Sequence, residues 1–254
     1  MSESLKVRSE GGLFEVALAR PPLNILDGPT LAELSGAFGR AARDGEVKLL
    51  LVRAEGKVFS AGADIDEHRP GRAGAMIEAF HGMLRALDAV PCPTAAFVHG
   101  AALGGGCELA LGCDLIFAGP RAKFAQPEIG LGFLPPVAAA LLPERVPWGR
   151  AVELCCSGQT WTAAEAHAAG LVTRLLPEEG AQEALAAALA PYLKQSPHVL
   201  RLTKRALRAG GARGFADRLA FAERVFLEEL MPSDDVAEGL AAFDEKREPR
   251  WKNR

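Results

Sequence analysis

Strand-like and helix-like segments alternate through the first half of the chain and then give way to helices alone, an order that few architectures accept. Residues 14–18 (Phe-Glu-Val-Ala-Leu) alternate with the period of a strand, and 47–52 form a short run with branched side chains. Between them, Thr30 is placed to cap a helix of about 13 residues with Leu31, Leu34 and Phe38 on one face. A second cycle follows: a helix over 75–87, a strand over 94–98, a helix from about Leu103 and a strand over 114–118. Such alternation predicts an α/β core whose parallel strands are covered by helices.

Beyond Trp148 the pattern predicts helices near 150–157, 162–168, 179–194, 197–208, 214–229 and 233–246, with 171–175 as one short strand. Pro191 and Ser196-Pro197 divide the chain into a core, residues 1–195, and a helical region, 196–254. That region is small to fold alone, so Leu219, Phe221, Val225 and Phe226 are expected to pack on the core or on another subunit.

Charge narrows the partners. Lysine plus arginine (29) nearly balances aspartate plus glutamate (32), so there is no positive field to hold nucleic acid or an anionic membrane surface, and a small molecule is favoured. The five cysteines, Cys92, Cys107, Cys113, Cys155 and Cys156, contain no C-x-x-C pair and read as reduced, buried packing residues of a cytoplasmic protein. Residues 1–10 carry charges where a secretory signal needs an apolar run. No His/Cys/Asp cluster has metal-ligand spacing.

Two features carry chemistry. Gly104-Gly105-Gly106 would cost a helix interior about 1 kcal/mol each relative to alanine, so the triplet is expected at the start of a helix, where free N–H groups make an oxyanion site. Close helix–strand packing would equally explain it. A dinucleotide fingerprint is only half present, because Leu109 stands where its last glycine belongs. Glu108, three residues after Gly105, returns to the same helix face, and Glu128 follows Pro127 in a stiffened turn after a short strand around Phe124. Taken singly, each acid is better explained without chemistry, Glu108 as a residue that favours a helix N-terminus and Glu128 as a solvated loop acid.

Three linked stretches, Phe59-Ser60-Ala61-Gly62-Ala63-Asp64-Ile65, Leu103-Gly104-Gly105-Gly106-Cys107-Glu108-Leu109-Ala110 and Gln126-Pro127-Glu128, resemble the crotonase (enoyl-CoA hydratase/isomerase) superfamily in order and spacing. The resemblance implies a repeated β-β-α spiral core with C-terminal helices that dress a homotrimer or homohexamer. It also implies an acyl-CoA hydratase in which the Ala63 and Gly105 amides bind the thioester oxygen, Glu108 activates a water and Glu128 exchanges the substrate proton. The CoA would lie near the backbone of Ala61, Asp64 and Ile65, with Lys246 able to reach a phosphate. CoA enters as part of the substrate, and no other cofactor is implied.

The chain departs from the common family pattern at Gly132-Phe133-Leu134-Pro135-Pro136, where many members have a glycine-rich stretch, so an altered pocket wall and a stiffened start to the next helix are expected. This stretch, with Asp66-Glu67-His68-Arg69-Pro70, Met76, Phe80-His81-Gly82 and residues 142–146, looks like the branch that hydrates alicyclic dienoyl thioesters. Straight-chain hydration or isomerisation, and a non-catalytic RNA-binding or scaffold role, remain the alternatives. His68 and His81, on either side of a loop-like segment, 67–75, are candidate pocket residues, though ordinary surface or partly buried histidines are the simpler reading; Cys107 is expected to face the core.

Overall fold

The computed structural model describes residues 4–195, 197–209, 214–232 and 234–247. The chain begins with strands β1 (Leu5–Glu10) and β2 (Leu13–Leu18), helix α1 (Gly28–Arg43) and strand β3 (Leu49–Ala54). A 3-10 turn, Ile65–His68, leads to α2 (Ala73–Asp88), β4 (Thr94–Val98), β5 (Ala101–Leu103), α3 (Gly105–Gly112), β6 (Leu115–Ala118) and β7 (Lys123–Ala125). A second 3-10 turn, Pro127–Leu131, precedes α4 (Pro136–Arg145), α5 (Trp148–Ser157), β8 (Trp161–Thr162), α6 (Ala163–Ala168) and β9 (Arg174–Leu175). Helices α7 (Ala181–Leu193), α8 (Pro197–Ala209), α9 (Phe215–Arg224), a π-helical turn, Val225–Leu230, and α10 (Asp234–Asp244) complete it.

The large sheet runs β1-β2-β3-β4-β6-β9, parallel except for the β1–β2 hairpin, and a small sheet runs β5-β7-β8. Two β-β-α units send their first strand to the large sheet and their second to the small one: β4 then β5 before α3, and β6 then β7 before α4; in the first unit, β1 and β2 both stay in the large sheet. The spiral α/β core expected from the sequence is therefore present. In β3, Leu50 and Val52 join the main core while Leu49 and Leu51 meet Leu185, Ala188 and Leu189 of α7 on the opposite face. Burial on both faces is why residues 49–52 of this strand are continuously apolar.

Several local expectations shift. Asp27, not Thr30, caps α1: its Oδ1 accepts the Thr30 amide at 3.1 Å and hydroxyl at 2.6 Å, and Thr30 lies inside the first turn. Helix α3 begins at Gly105 rather than Leu103, because residues 101–103 pair with β7. Strand β1 has no apolar alternation to reveal it; only Leu5 is buried, and pairing with β2 creates the strand. Helix α2 begins at Ala73, within the segment expected to be a loop. All five cysteines are free; Cys92, Cys107 and Cys113 are buried as expected, but Cys155 is only partly buried and Cys156 is exposed, since α5 turns that face to the surface.

The C-terminal helices pack on the core: Leu219, Phe226, Val236 and Leu240 belong to its main cluster. The side chains of Phe221 and Val225 lie outside the described residues, as does Ser196, where the division between the two regions was expected. An ion pair between buried Lys204 and partly exposed Asp114 anchors α8. Lys204 donates to the Cys92 carbonyl at 2.9 Å and meets Asp114 at 2.6 Å, while Asp114 also accepts the Thr94 amide at 2.8 Å. Burial alone would raise Asp114, but the Lys204 ammonium and the Thr94 donors outweigh it and hold it below its usual value. Its contribution to stability is therefore full above the ordinary carboxylate range and lost as pH falls through the lowered value. Lys204→Ala is expected to cost about 1–2 kcal/mol in urea unfolding, because it removes the donor to the Cys92 carbonyl and the partner of an Asp114 that water still partly solvates, and Lys204→Arg less.

Candidate active site

Helix α3 starts where the glycine triplet predicts. Gly104 is its N-cap at φ 50° and ψ −123°, a backbone conformation closed to side chains, and a methyl there would stand 2.7 Å from Glu128 Oε1. Gly105, the first helical residue, brings its backbone against the strand-end segment 60–63: an added methyl would lie 3.2 Å from the Ala63 nitrogen and 3.0 Å from the Phe80 ring. The amides of Ala63 and Gly105 are thus neighbours, and neither donates a hydrogen bond to another described residue. Close packing and exposed donors are consequences of the same absent side chains.

Glu108, 4% exposed, points from the first turn of α3 toward the start of α4. Its Oε1 accepts the amides of Val137 and Ala138, each at 2.9 Å. Pro135 caps α4 and Pro136 is its first residue, so the prolines remove donors that could not be used and pre-set the turn presenting those that can. Glu128 sits in the 3-10 turn after β7, and its buried Oε2 has no partner among the described residues. Burial raises Glu108 above the usual carboxylate range, against the pull of the two helix amides. Burial and then the Glu108 charge raise Glu128. The two amides on Glu108, with none from α4 on Glu128, favour the ionised form of Glu108 over that of Glu128.

Both acids line one apolar cavity of about 90 Å³, with Ala61, Ala63, Ile65 and Gly105 on its wall. Asp64 is not in this wall: its side chain accepts the Asp66 amide at 2.9 Å and its carbonyl bonds His68 Nδ1 at 2.8 Å. Lys246 is exposed beyond α10 and does not reach the cavity. Nearby, Arg69 holds Asp244 through two bonds of 2.8 and 2.7 Å, tying the end of α10 to the loop before α2. His68 does line the cavity; His81 does not, being wholly buried with Nδ1 3.2 Å from Glu223 of α9. Cys107 faces the core. Sequence reasoning missed the Val137 and Ala138 amides and the arrival of Phe226 in the cavity; Pro135-Pro136 was the available signal for the first, and nothing local signalled the second. Among the described residues no group of three His, Cys, Asp or Glu side chains converges as a metal site, and no helix is long and apolar enough to cross a membrane.

A family model for enoyl-CoA hydratase/isomerase matches residues 8–254. The chain belongs to that family. Over 259 residues it is 39% identical to a cyclohexa-1,5-dienecarbonyl-CoA hydratase of Thauera aromatica, covering 100% of this chain and 98% of that protein. It is 34% identical to a probable enoyl-CoA hydratase of Mycobacterium tuberculosis, covering 99% of each. Among solved structures, an enoyl-CoA hydratase from Mycobacterium avium subsp. paratuberculosis superposes with a TM-score of 0.85 at 31% identity, covering 99% of each chain. A carnitinyl-CoA hydratase from Mycobacterium avium reaches 0.87 at 30% identity, covering 100% of each. The enzyme class expected from the sequence, an acyl-CoA hydro-lyase, stands with the family.

The raised carboxyls have a stability consequence. A carboxyl whose folded pKa is raised contributes most stability below its unfolded value, and the contribution is lost as pH rises through the folded value. Glu128→Gln removes that loss, so its melting temperature is expected to exceed the wild type's by about 2–4 °C at alkaline pH, with the difference vanishing in acid. Equal melting at all pH values would show that Glu128 is not held protonated.

Proposed function

We propose that this chain hydrates an alicyclic dienoyl-CoA, taking cyclohexa-1,5-diene-1-carbonyl-CoA to 6-hydroxycyclohex-1-ene-1-carbonyl-CoA in the anaerobic breakdown of aromatic acids. The observation that carries the hydratase chemistry is the unequal pair: Glu108, tied to two helix amides, and Glu128, with an unpartnered buried oxygen, in the same cavity as two free backbone amides. The thioester oxygen accepts the Ala63 and Gly105 amides, which stabilise the negative charge that builds there as water attacks the β-carbon. Glu108, ionised, takes a proton from the water. Glu128, protonated, delivers one to the far end of the diene, and the remaining double bond comes to lie between the diene's two inner carbons, one of which bears the thioester. One proton is taken and one given, so no metal or redox cofactor enters, and CoA is part of the substrate.

The choice of a ring rests on the similarity to the Thauera protein and on the apolar wall of Phe133, Leu134 and Pro136, in the stretch where many family members have glycines. In this reading the main chain of Ala61, Asp64 and Ile65 receives the CoA adenine, Lys246 reaches a phosphate across a subunit boundary, and the protein is a cytoplasmic homotrimer or homohexamer. A second reading, straight-chain enoyl-CoA hydration, is favoured by the mycobacterial relative, since both acids serve that reaction equally.

Purified protein given the cyclic dienoyl-CoA is expected to form a product one water heavier by mass spectrometry, with kcat/KM at least tenfold above that for crotonyl-CoA; faster crotonyl-CoA turnover would sink the ring assignment. Glu108→Gln and Glu128→Gln are each expected to lower kcat by roughly 10²–10⁴-fold. The reaction needs Glu108 ionised and Glu128 protonated. The rate therefore falls as pH drops through the Glu108 value and as it rises through the Glu128 value, with both limbs above the ordinary glutamate value of about 4.3.

A further inference from the structure

The acyl group has only the apolar remainder of the cavity to occupy once its carbonyl is held at Ala63 and Gly105. Part of that lining comes from a distant stretch of the same chain. Phe226 sits in the π-helical turn Val225–Leu230, whose widened geometry is fixed by the Met231 amide donating to the Phe226 carbonyl at 2.9 Å. Single π turns inside helices often mark functional positions, because the extra residue re-aims the side chains around it. Here Phe226 lies 1% exposed on the cavity wall. Its ring stacks on Phe133, with centroids 6.4 Å apart and planes at 18°, and Phe133 in turn meets the His68 ring at 5.2 Å. His68 is pinned by the bond between Nδ1 and the Asp64 carbonyl, so all three rings are held by neighbours.

The stack is braced from outside as well. Helix α10 packs on the turn that carries Glu128 so closely that a methyl on Gly239 would overlap the Leu131 carbonyl. The Arg69–Asp244 pair fastens the far end of α10 to the segment just after His68. Separating the rings would therefore disturb the packing of α10 on the turn that carries Glu128. The stacked rings close one side of the cavity of about 90 Å³, so an acyl group must lie beside that flat wall rather than pass through it.

We infer that the Phe133–Phe226 stack is a size-selecting wall, built from the core and the C-terminal helices together, which restricts the enzyme to compact acyl groups and offers a flat face to a ring. This inference rests on the acyl-thioester reading above. Both phenylalanines set specificity by contact and take no part in proton transfer.

The experiment compares kcat/KM for crotonyl-CoA, trans-2-octenoyl-CoA and the cyclic dienoyl-CoA in wild type, Phe226→Ala and Phe226→Leu. Wild type is expected to disfavour octenoyl-CoA. Phe226→Ala is expected to raise the octenoyl-to-crotonyl ratio by at least about tenfold and to lower the cyclic-to-crotonyl ratio, since a pocket change of one or a few methylenes is worth roughly 10–200-fold in discrimination. A structural lesion would lower all three rates together and leave both ratios unchanged. If the alanine variant does not fold, by circular dichroism, the leucine variant decides: it keeps most of the volume but loses the flat face, so the cyclic-to-crotonyl ratio must fall. Unchanged ratios in the folded variants overturn the wall. Wild type turning over none of the three thioesters overturns the hydratase reading itself, a separate outcome.

Discussion

The two hydrogen bonds from Val137 and Ala138 to Glu108 Oε1 are the contact on which the rest of the site depends. A carboxylate taken out of water is costly unless donors replace its hydration, and a helix N-terminus supplies donors and a favourable dipole together. The bonds fix α3 against α4, so the chain between β7 and α4 must bridge them. The Pro127–Leu131 turn with Glu128 lies in that bridge. They also create the asymmetry of the acids, one satisfied by the main chain and the other not.

Close backbone approach does the remaining positioning. The Leu103 amide donates to the Ser60 carbonyl and the Gly104 amide to the Ala125 carbonyl, both at 2.9 Å, so three sequence-distant segments meet with almost no side chain between them. The Ser60 hydroxyl accepts the Gly62 amide at 3.1 Å and donates to the Asn24 carbonyl at 2.8 Å. The amides of Leu103, Gly104 and Gly62 are thus spent within this junction, whereas among the described residues those of Ala63 and Gly105 donate to none and lie on the cavity wall. The fold concentrates its unspent hydrogen-bonding capacity at the place where a reacting oxygen can use it. That is also why the site opposes stability: raised carboxyls and free amides are tolerated only because the surrounding core is large.

Much of this was legible in the residues. Alternation gave the α/β core, because strand and helix periods differ and each must bury one face. The cost of three glycines in a helix interior set the start of α3, and the three-residue step from Gly105 put Glu108 beside it. Strand β1 was illegible for a physical reason: an edge strand with five exposed residues has no burial pattern and exists only through its partner. Asp27 displaced Thr30 as the cap because either side chain can serve, and the choice depends on which residue the preceding chain leaves extended.

By itself the sequence determined the elements, the family motifs and the two acids, since periodicity, glycine cost and local spacing are properties of neighbouring residues. Only the tertiary structure decided which acid is held by amides and which is left free, because the donors at Val137 and Ala138 lie about thirty residues from Glu108. It alone decided that Phe226, which the sequence marks only as apolar, reaches the cavity. Long-range packing places α9, the π turn and α10 over the site, and no local pattern encodes where a helix comes to rest.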